Sequence, residues 1–349
     1  MTTIEGPPKR CPLLAGHGPV GRLVVELLTG HADDIDACVR GVQTTIDAAP
    51  RDRALLADLD VQRAWFVVAE LDGRGVDGVD DRWNDHPAVS AIRQTLGDAL
   101  EAAVRDRVGA VDGCSAAELP ARVRRELAEI DAPAMSTHLQ DSGTIENYRD
   151  LLRHRSLYHL READPHTTAI PRLAGRAKAG LVEIQSDEYG GGREEDMHST
   201  LFARSMRAIG LNSDYGAYAG DLPAVTLAWS NALTLFASRR RLRAAVVGHL
   251  LALECTSSLP NKRYAKGLRR LGYDADATRF FDEHVEADAV HEQIALYDMA
   301  VPLLDQEPEL ACDLLIGFRA ALVLDADVGR HLLETWQDTS THGHTEGPP

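Results

Sequence analysis

Apolar residues recur at three- and four-residue spacing along most of the chain, the mark of helices that each bury one face. The spacing predicts helices near 20–29, 32–49, 51–72, 86–109 and 115–130 in the first third. After "DAPAMSTHLQDSG" (131–143) it predicts helices near 144–163, 172–188, 193–209, 222–239, 240–256, 260–271, 275–303, 307–322 and 325–336. "DGRGVDGVDD" (72–81) and "GAVDG" (109–113) read as turns. No run alternates with the two-residue period of a half-buried strand. "YGGG" (189–192) follows a helix, so it stops one rather than cradling a phosphate. The expectation is an all-α protein: a helical scaffold or dimerisation region over 21–140, a ligand-bearing bundle over 141–336, and disordered ends at 1–20 and 337–349.

Several polar residues break this pattern by falling on apolar faces. In "FFDEHVEADAVHE" (280–292), each residue advances about 100° around the helix, so Asp288 lies about 40° to one side of His284 and His291 about 20° to the other. Phe280, Phe281 and Ala287 share that direction, while Asp282, Glu286 and Gln293 point the opposite way. Burying three such groups without partners costs several kcal/mol, on the order of a ligand's worth of compensation. In "RAAVVGHLLALECTSS" (243–258), Glu254 shares its face with Val247, Leu250 and Leu251, whereas His249 points away. Glu254 needs a cation, either a metal or Arg243 on the same face. In "LVEIQSDEYGGGREEDMHSTLF" (181–202), Glu188 ends one helix on its apolar side and His198 begins the next beside Leu201 and Phe202. Glu183 and Asp187 are turned aside, and Glu195, three residues before His198, is a competing ligand.

Composition narrows the partners. A net charge of -17 disfavours nucleic acid and anionic membranes. The five cysteines are scattered without CxxC pairing and fit reduced thiols of a cytoplasmic protein. The first residues do not read as a secretory signal, and no stretch reaches the ~18 apolar residues of a spanning helix. Carboxylates and imidazoles without thiolate suit iron or manganese rather than a closed zinc site.

Glu162, Glu188, His198, Glu254, His284, Asp288 and His291 stand in the order E…E-x9-H…E…H-x3-D-x2-H, with "DEYGGG" before the first histidine. On these residues the sequence from about 140 to 336 resembles the haem-oxygenase-like diiron oxidases and oxygenases, whose name describes the fold and not a haem. The resemblance implies a haem-oxygenase-like helical bundle with an N-terminal helical extension, and a non-haem centre of two iron ions held by those seven residues. It alone brings in Glu162, whose own helix face is mixed. It further implies O2 as cosubstrate, an external electron donor and a small amino-containing substrate. The implied reaction is N-oxygenation to a hydroxylamine or nitro product in specialised-metabolite biosynthesis, favoured by the extra carboxylate. Glu162, Glu188 and His198 would serve one side, His284, Asp288 and His291 the other, with Glu254 able to bridge. Desaturation or carbon–carbon cleavage of an amino acid or fatty acid, and a non-enzymatic iron-binding protein, are the competing readings. A homodimer through the N-terminal helices is a further expectation.

Overall fold

The computed structural model describes residues 9–50 and 52–342, apart from the side chains of 287–289 and 339–342. In chain order the first helices are α1 (Pro19–Leu28), α2 (Ile35–Ala48), α3 (Leu59–Glu70), α4 (Pro87–Val108), α5 (Leu119–Glu129) and α6 (Met135–Asp141). Next come α7 (Ile145–His159), α8 (Asp164–Thr167), α9 (Gly175–Glu188), α10 (His198–Ala208) and α11 (Ala224–Ser238). The last are α12 (Arg243–Thr256), α13 (Ser258–Arg270), α14 (Ala275–Gln293), α15 (Val301–Gln306) and α16 (Ala311–His342). Among the described residues no strand forms, and an isolated bridge joins Cys11 to Val76. The all-α expectation holds.

The chain divides into two compact units, and not at residue 140. Of the described residues, those in 9–106 and 214–231 form one, and those in 107–213 and 232–342 the other. In the first, Tyr215 donates to Glu70 Oε1 at 2.7 Å and Asn231 Nδ2 to the Gln62 carbonyl at 2.9 Å, which ties the later segment to α3. Residues 9–20 are not disordered there: Cys11 is buried and Asp60 caps the start of α1. The remaining residues of the expected disordered start, 1–8, lie outside the described residues.

In the second unit α5 is held by Glu126, which accepts from Arg122 at 2.6 Å and from Arg319 of α16 at 2.8 Å. This explains why 107–140, expected with the N-terminal region, belongs here. The stretch 131–143, read as a boundary, contains α6. The two helices expected at 307–322 and 325–336 are one, α16, which runs on through the first residues of the expected tail. Asp325 and Asp327 look like a polar interruption, but Arg155 pairs with the first and Arg107, at 2.8 Å, with the second. Residues 343–349 lie outside the described residues.

Two backbone features mark the helices of the second unit. Gly248 on α12 and Gly317 on α16 face each other's backbone: a Cβ on Gly248 would lie 1.9 Å from the Leu314 carbonyl oxygen, and one on Gly317 2.0 Å from that of Ala245. Only glycine permits this crossing. The second is a π-helical segment, Ile294–Ala300, where an unbroken α-helix over 275–303 was expected. Such segments are rare and common beside functional sites. It begins three residues after His291.

Candidate metal centre

Each candidate side chain is placed by ordinary helix chemistry. Thr144 and Asn147 form a capping box that starts α7, worth about 1 kcal/mol. Past the end of α7 the chain turns through Glu162 and then Ala163, whose φ of 76° is the positive-φ case among the described non-glycine residues. Glu188 is the last residue of α9, and His198 the first of α10. Asp274 caps α14, whose buried face carries Phe280, Phe281, His284 and His291.

Glu162, Glu188, His198, Glu254, His284 and His291 are all buried. Their ligand-type atoms form two groups, in each of which the atoms lie within 4.8 Å of one another. Glu162, Glu188, His198 and His284 make the first, and Glu188, Glu254 and His291 the second. Glu188 belongs to both. The expected division therefore changes: His284 groups with Glu162 across the cluster from His291, and Glu188, rather than Glu254, is shared. Asp288 lies on α14, and its side chain falls outside the described residues.

The hydrogen bonds decide which atoms face inward. His284 Nδ1 donates to the Phe280 carbonyl at 2.8 Å, which leaves Nε2 with its lone pair toward Glu162, 3.6 Å from Oε1. His291 Nε2 donates to Asp187 Oδ2 at 3.0 Å, which leaves Nδ1 toward Glu254, 3.4 Å from Oε2. His159 Nδ1 donates to Glu162 Oε1 at 2.7 Å. What remains is a set of buried atoms without hydrogen-bond partners: Glu162 Oε2, Glu188 Oε2, His198 Nδ1 and His291 Nδ1. His198 Nδ1 and Glu188 Oε2 lie 3.0 Å apart yet out of hydrogen-bonding alignment.

Lone pairs aimed at one another across such gaps repel unless a cation sits between them. In the absence of metal that cation is a proton. Burial opposes charging His291, but Glu254 and Asp187 outweigh it and carry its pKa up to about 9. Burial likewise opposes His198, and Glu188 overcomes it and raises it. Burial would raise Glu162, but the facing His159 and His284 hold it well below the usual carboxylate range. Protons thus collect where a metal's positive charge would go. The donor set, imidazole nitrogens and carboxylate oxygens without sulfur, fits iron.

Phe202 and Phe280 wall the cluster, their rings 4.9 and 5.1 Å from that of His159. Glu195 is exposed and takes no part. Arg243 is not the partner of Glu254; it pairs with Glu307. Two residues that hydrogen-bond the cluster, Asp187 and His159, and a buried neighbour on α12, His249, do not stand out from their helix faces. Asp187 was turned aside by periodicity, although it neighbours Glu188. His159, three residues before Glu162, was open to an i, i+3 test. His249 does point away from Glu254, but α12 is buried nearly all round, so its far face meets protein as well.

Residues 149–326 match a protein family described as iron-containing redox enzymes. A curated relative, nitrosourea synthase of Streptomyces achromogenes subsp. streptozoticus, is 30% identical over 148 residues, which span 42% of this chain and 31% of that protein. The chain thus covers about a third of that relative's length. A crystal structure of a CADD-like protein of unknown function from Nostoc punctiforme PCC 73102 aligns with 63% of this chain and 97% of its own, at 18% identity and a TM-score of 0.49. No helix of the described residues is long and apolar enough to cross a membrane.

Proposed function

This chain belongs to the family of iron-containing redox enzymes, and we propose that within it the protein is a diiron, O2-dependent N-oxygenase of a small amine or amino-acid-type substrate. The observation that carries the reading is the pair of atom groups that share Glu188, with four buried ligand-type atoms left without partners. Glu162, Glu188, His198 and His284 would hold one ion, and Glu188, Glu254 and His291 the other. Asp288, on the same helix as His291, would complete the set. Four carboxylates then balance the four positive charges of two ferrous ions, so the filled site is neutral in a low-dielectric interior. Two adjacent ferrous ions, when bound, supply the two electrons that O2 needs on its way to a nitrogen.

The chain's own residues do the rest. Asp187 accepts from His291 and His159 donates to Glu162, so each fixes the orientation of a ligand from behind. Phe202 and Phe280 exclude water from one side, which strengthens every charge interaction inside. The nitrogen assignment is supported by the likeness to nitrosourea synthase, because a nitrosourea carries a nitrogen–oxygen bond. The electrons for repeated turnover come from an external reductant.

Anaerobic loading with ferrous sulfate is expected to give two iron ions per chain. Exposure of the loaded protein to 18O2 with a panel of amino and guanidino compounds is expected to add one labelled oxygen to nitrogen, read by mass spectrometry. A product desaturated or cleaved at carbon, with no label on nitrogen, would overturn the N-oxygenase reading and keep the centre. One iron or none per chain would overturn the centre itself.

A further inference from the structure

Five histidines are buried among the described residues: His166, His198, His249, His284 and His291. Three belong to the metal centre. The other two, His166 on α8 and His249 on α12, face each other with Nε2 and Nδ1 3.2 Å apart. Burial, reinforced by the neighbouring His249, depresses His166, and burial takes His249 down to about 4. Both rings are therefore neutral near pH 7 and joined by one N–H···N bond. His166 Nδ1 is buried with no hydrogen-bond partner. Packing alone does not account for two imidazoles here, since apolar residues of similar size would avoid the desolvation cost.

The pair has an inner and an outer end. At the inner end the His166 ring meets the edge of Tyr158, centroids 6.1 Å apart. Tyr158 in turn meets the edge of His159, centroids 5.0 Å apart, and His159 Nδ1 donates to Glu162 at 2.7 Å, so that ring adjoins the metal centre. At the outer end the carboxylate that acts on His249 is Asp325, held by Arg155 and 44% exposed to solvent.

The chemistry proposed for the centre consumes protons. N-oxygenation balances as R–NH2 + O2 + 2 H+ + 2 electrons giving R–NHOH + H2O: the O–O bond breaks, an N–O bond forms, and the departing oxygen takes up two protons. The electrons come from the external reductant. A ligand atom committed to iron has no proton to give. We propose that His166 and His249 are a proton-delivery pair, which carries protons from the solvent side at Asp325 to the Tyr158 side of the metal centre. Each step moves one proton onto one ring nitrogen and releases another from the opposite nitrogen, so neither ring stores charge.

This rests on oxygen reduction at the proposed centre, but not on the amine. The test therefore uses full-length protein loaded with ferrous iron and mixed with O2 alone, where 2 Fe2+ + O2 + 2 H+ gives 2 Fe3+ + H2O2. His166→Asn and His249→Asn are expected to slow peroxide release by about 100-fold. Iron per chain should be unchanged, the solvent deuterium effect larger than in wild type, and part of the rate restored by added imidazole. Rates within about threefold of wild type at full iron content would overturn the pair's role, since a proton route is worth ~100-fold or more. Failure of these variants to fold leaves a second reading, 15N spectra of metal-free wild-type protein. Two neutral rings that share one hydrogen bond support the proposal, and a charged or separately bonded ring overturns it.

Discussion

Asp60 and Glu188 are carboxylates of almost equal burial, 8% and 7% exposed, and they are compensated in opposite ways. Asp60 accepts from the backbone nitrogens of Gly18, Val20 and Gly21 at 2.7, 2.8 and 2.9 Å, so its charge completes the turn into α1. Glu188 points one oxygen at a lone pair of His198 and leaves it without a hydrogen bond. An uncompensated buried carboxylate costs several kcal/mol, on the order of half a domain's net stability. Burial by itself therefore says only that something answers the charge. The inventory of donors says whether the protein does so or leaves the task to a ligand.

The largest effects come from isosteric neutralisation at the two positions. Glu188→Gln removes the group common to both clusters, and iron affinity is expected to fall by at least about 100-fold, beyond what loss of an outer partner costs. The same change should alter metal-free stability by no more than about 1 kcal/mol, because Glu188 is what raises His198, and without it the imidazole sheds its proton and stays neutral. Asp60→Asn should do the reverse. It sets an amide NH2 against backbone N–H groups and is expected to cost about 2–3 kcal/mol with iron binding intact. Urea unfolding of metal-free protein and metal analysis read both. Equal destabilisation by the two substitutions would remove the distinction.

That distinction also marks how far the sequence could be read. Periodicity identifies which polar residues lie on apolar faces, and it placed His198, Glu254, His284 and His291 among buried neighbours because helix geometry is local. It also placed Glu188 at the end of its helix. It could not tell that Glu188 belongs to both clusters, since that depends on how α9, α12 and α14 cross. The close approach of α12 to α16 at Gly248 and Gly317 is set by two absent side chains, which a hydropathy pattern does not register. The π-helical turn after His291 was equally invisible, because it changes register without changing composition. Glu162 lies beyond the last regular turn of α7, where face angles no longer apply, and only the resemblance pointed to it. His249 points away from Glu254 yet is buried, because in a multilayered bundle the far face of a helix is frequently another helix's near face, whereas Asp187 is exposed as its face angle predicts and still reaches back to His291.

Glu126 offers an intermediate case, a buried carboxylate answered by fixed cations. Burial would raise its pKa, but Arg319 and Arg122 outweigh it and hold it below the ordinary glutamate value of 4.5. A folded value below the unfolded one means that the ion pair's contribution is fully present above about pH 4.5 and is lost as the pH falls through the folded value. Glu126→Gln is expected to cost about 2 kcal/mol near neutral pH, somewhat less than a fully dry pair because the arginines keep contact with water. The gap between wild type and variant should close as the pH drops below 4.5. A constant gap across that range would show that shape, and not charge, accounts for the pairing.

The smallest effect concerns the backbone that aims Glu162. Ala163 adopts φ 76° and ψ -37°, a conformation that costs a residue with a Cβ about 1–3 kcal/mol. Ala163→Gly relieves that strain, but it adds about 0.5–1 kcal/mol of unfolded-chain entropy and gives up a buried methyl worth ~0.8 kcal/mol. These nearly cancel, and stability should stay within about 0.5 kcal/mol of wild type. Ala252→Gly is the control, because Ala252 is also buried but sits in the regular helix α12 with no strain to release. It should cost about 1.5 kcal/mol. Urea denaturation of both variants measures the difference. A larger stability for Ala163→Gly than for Ala252→Gly, with iron affinity weakened only in the former, places the strain in the service of Glu162. Equal losses would mean that the turn after α7 holds its carboxylate without strain.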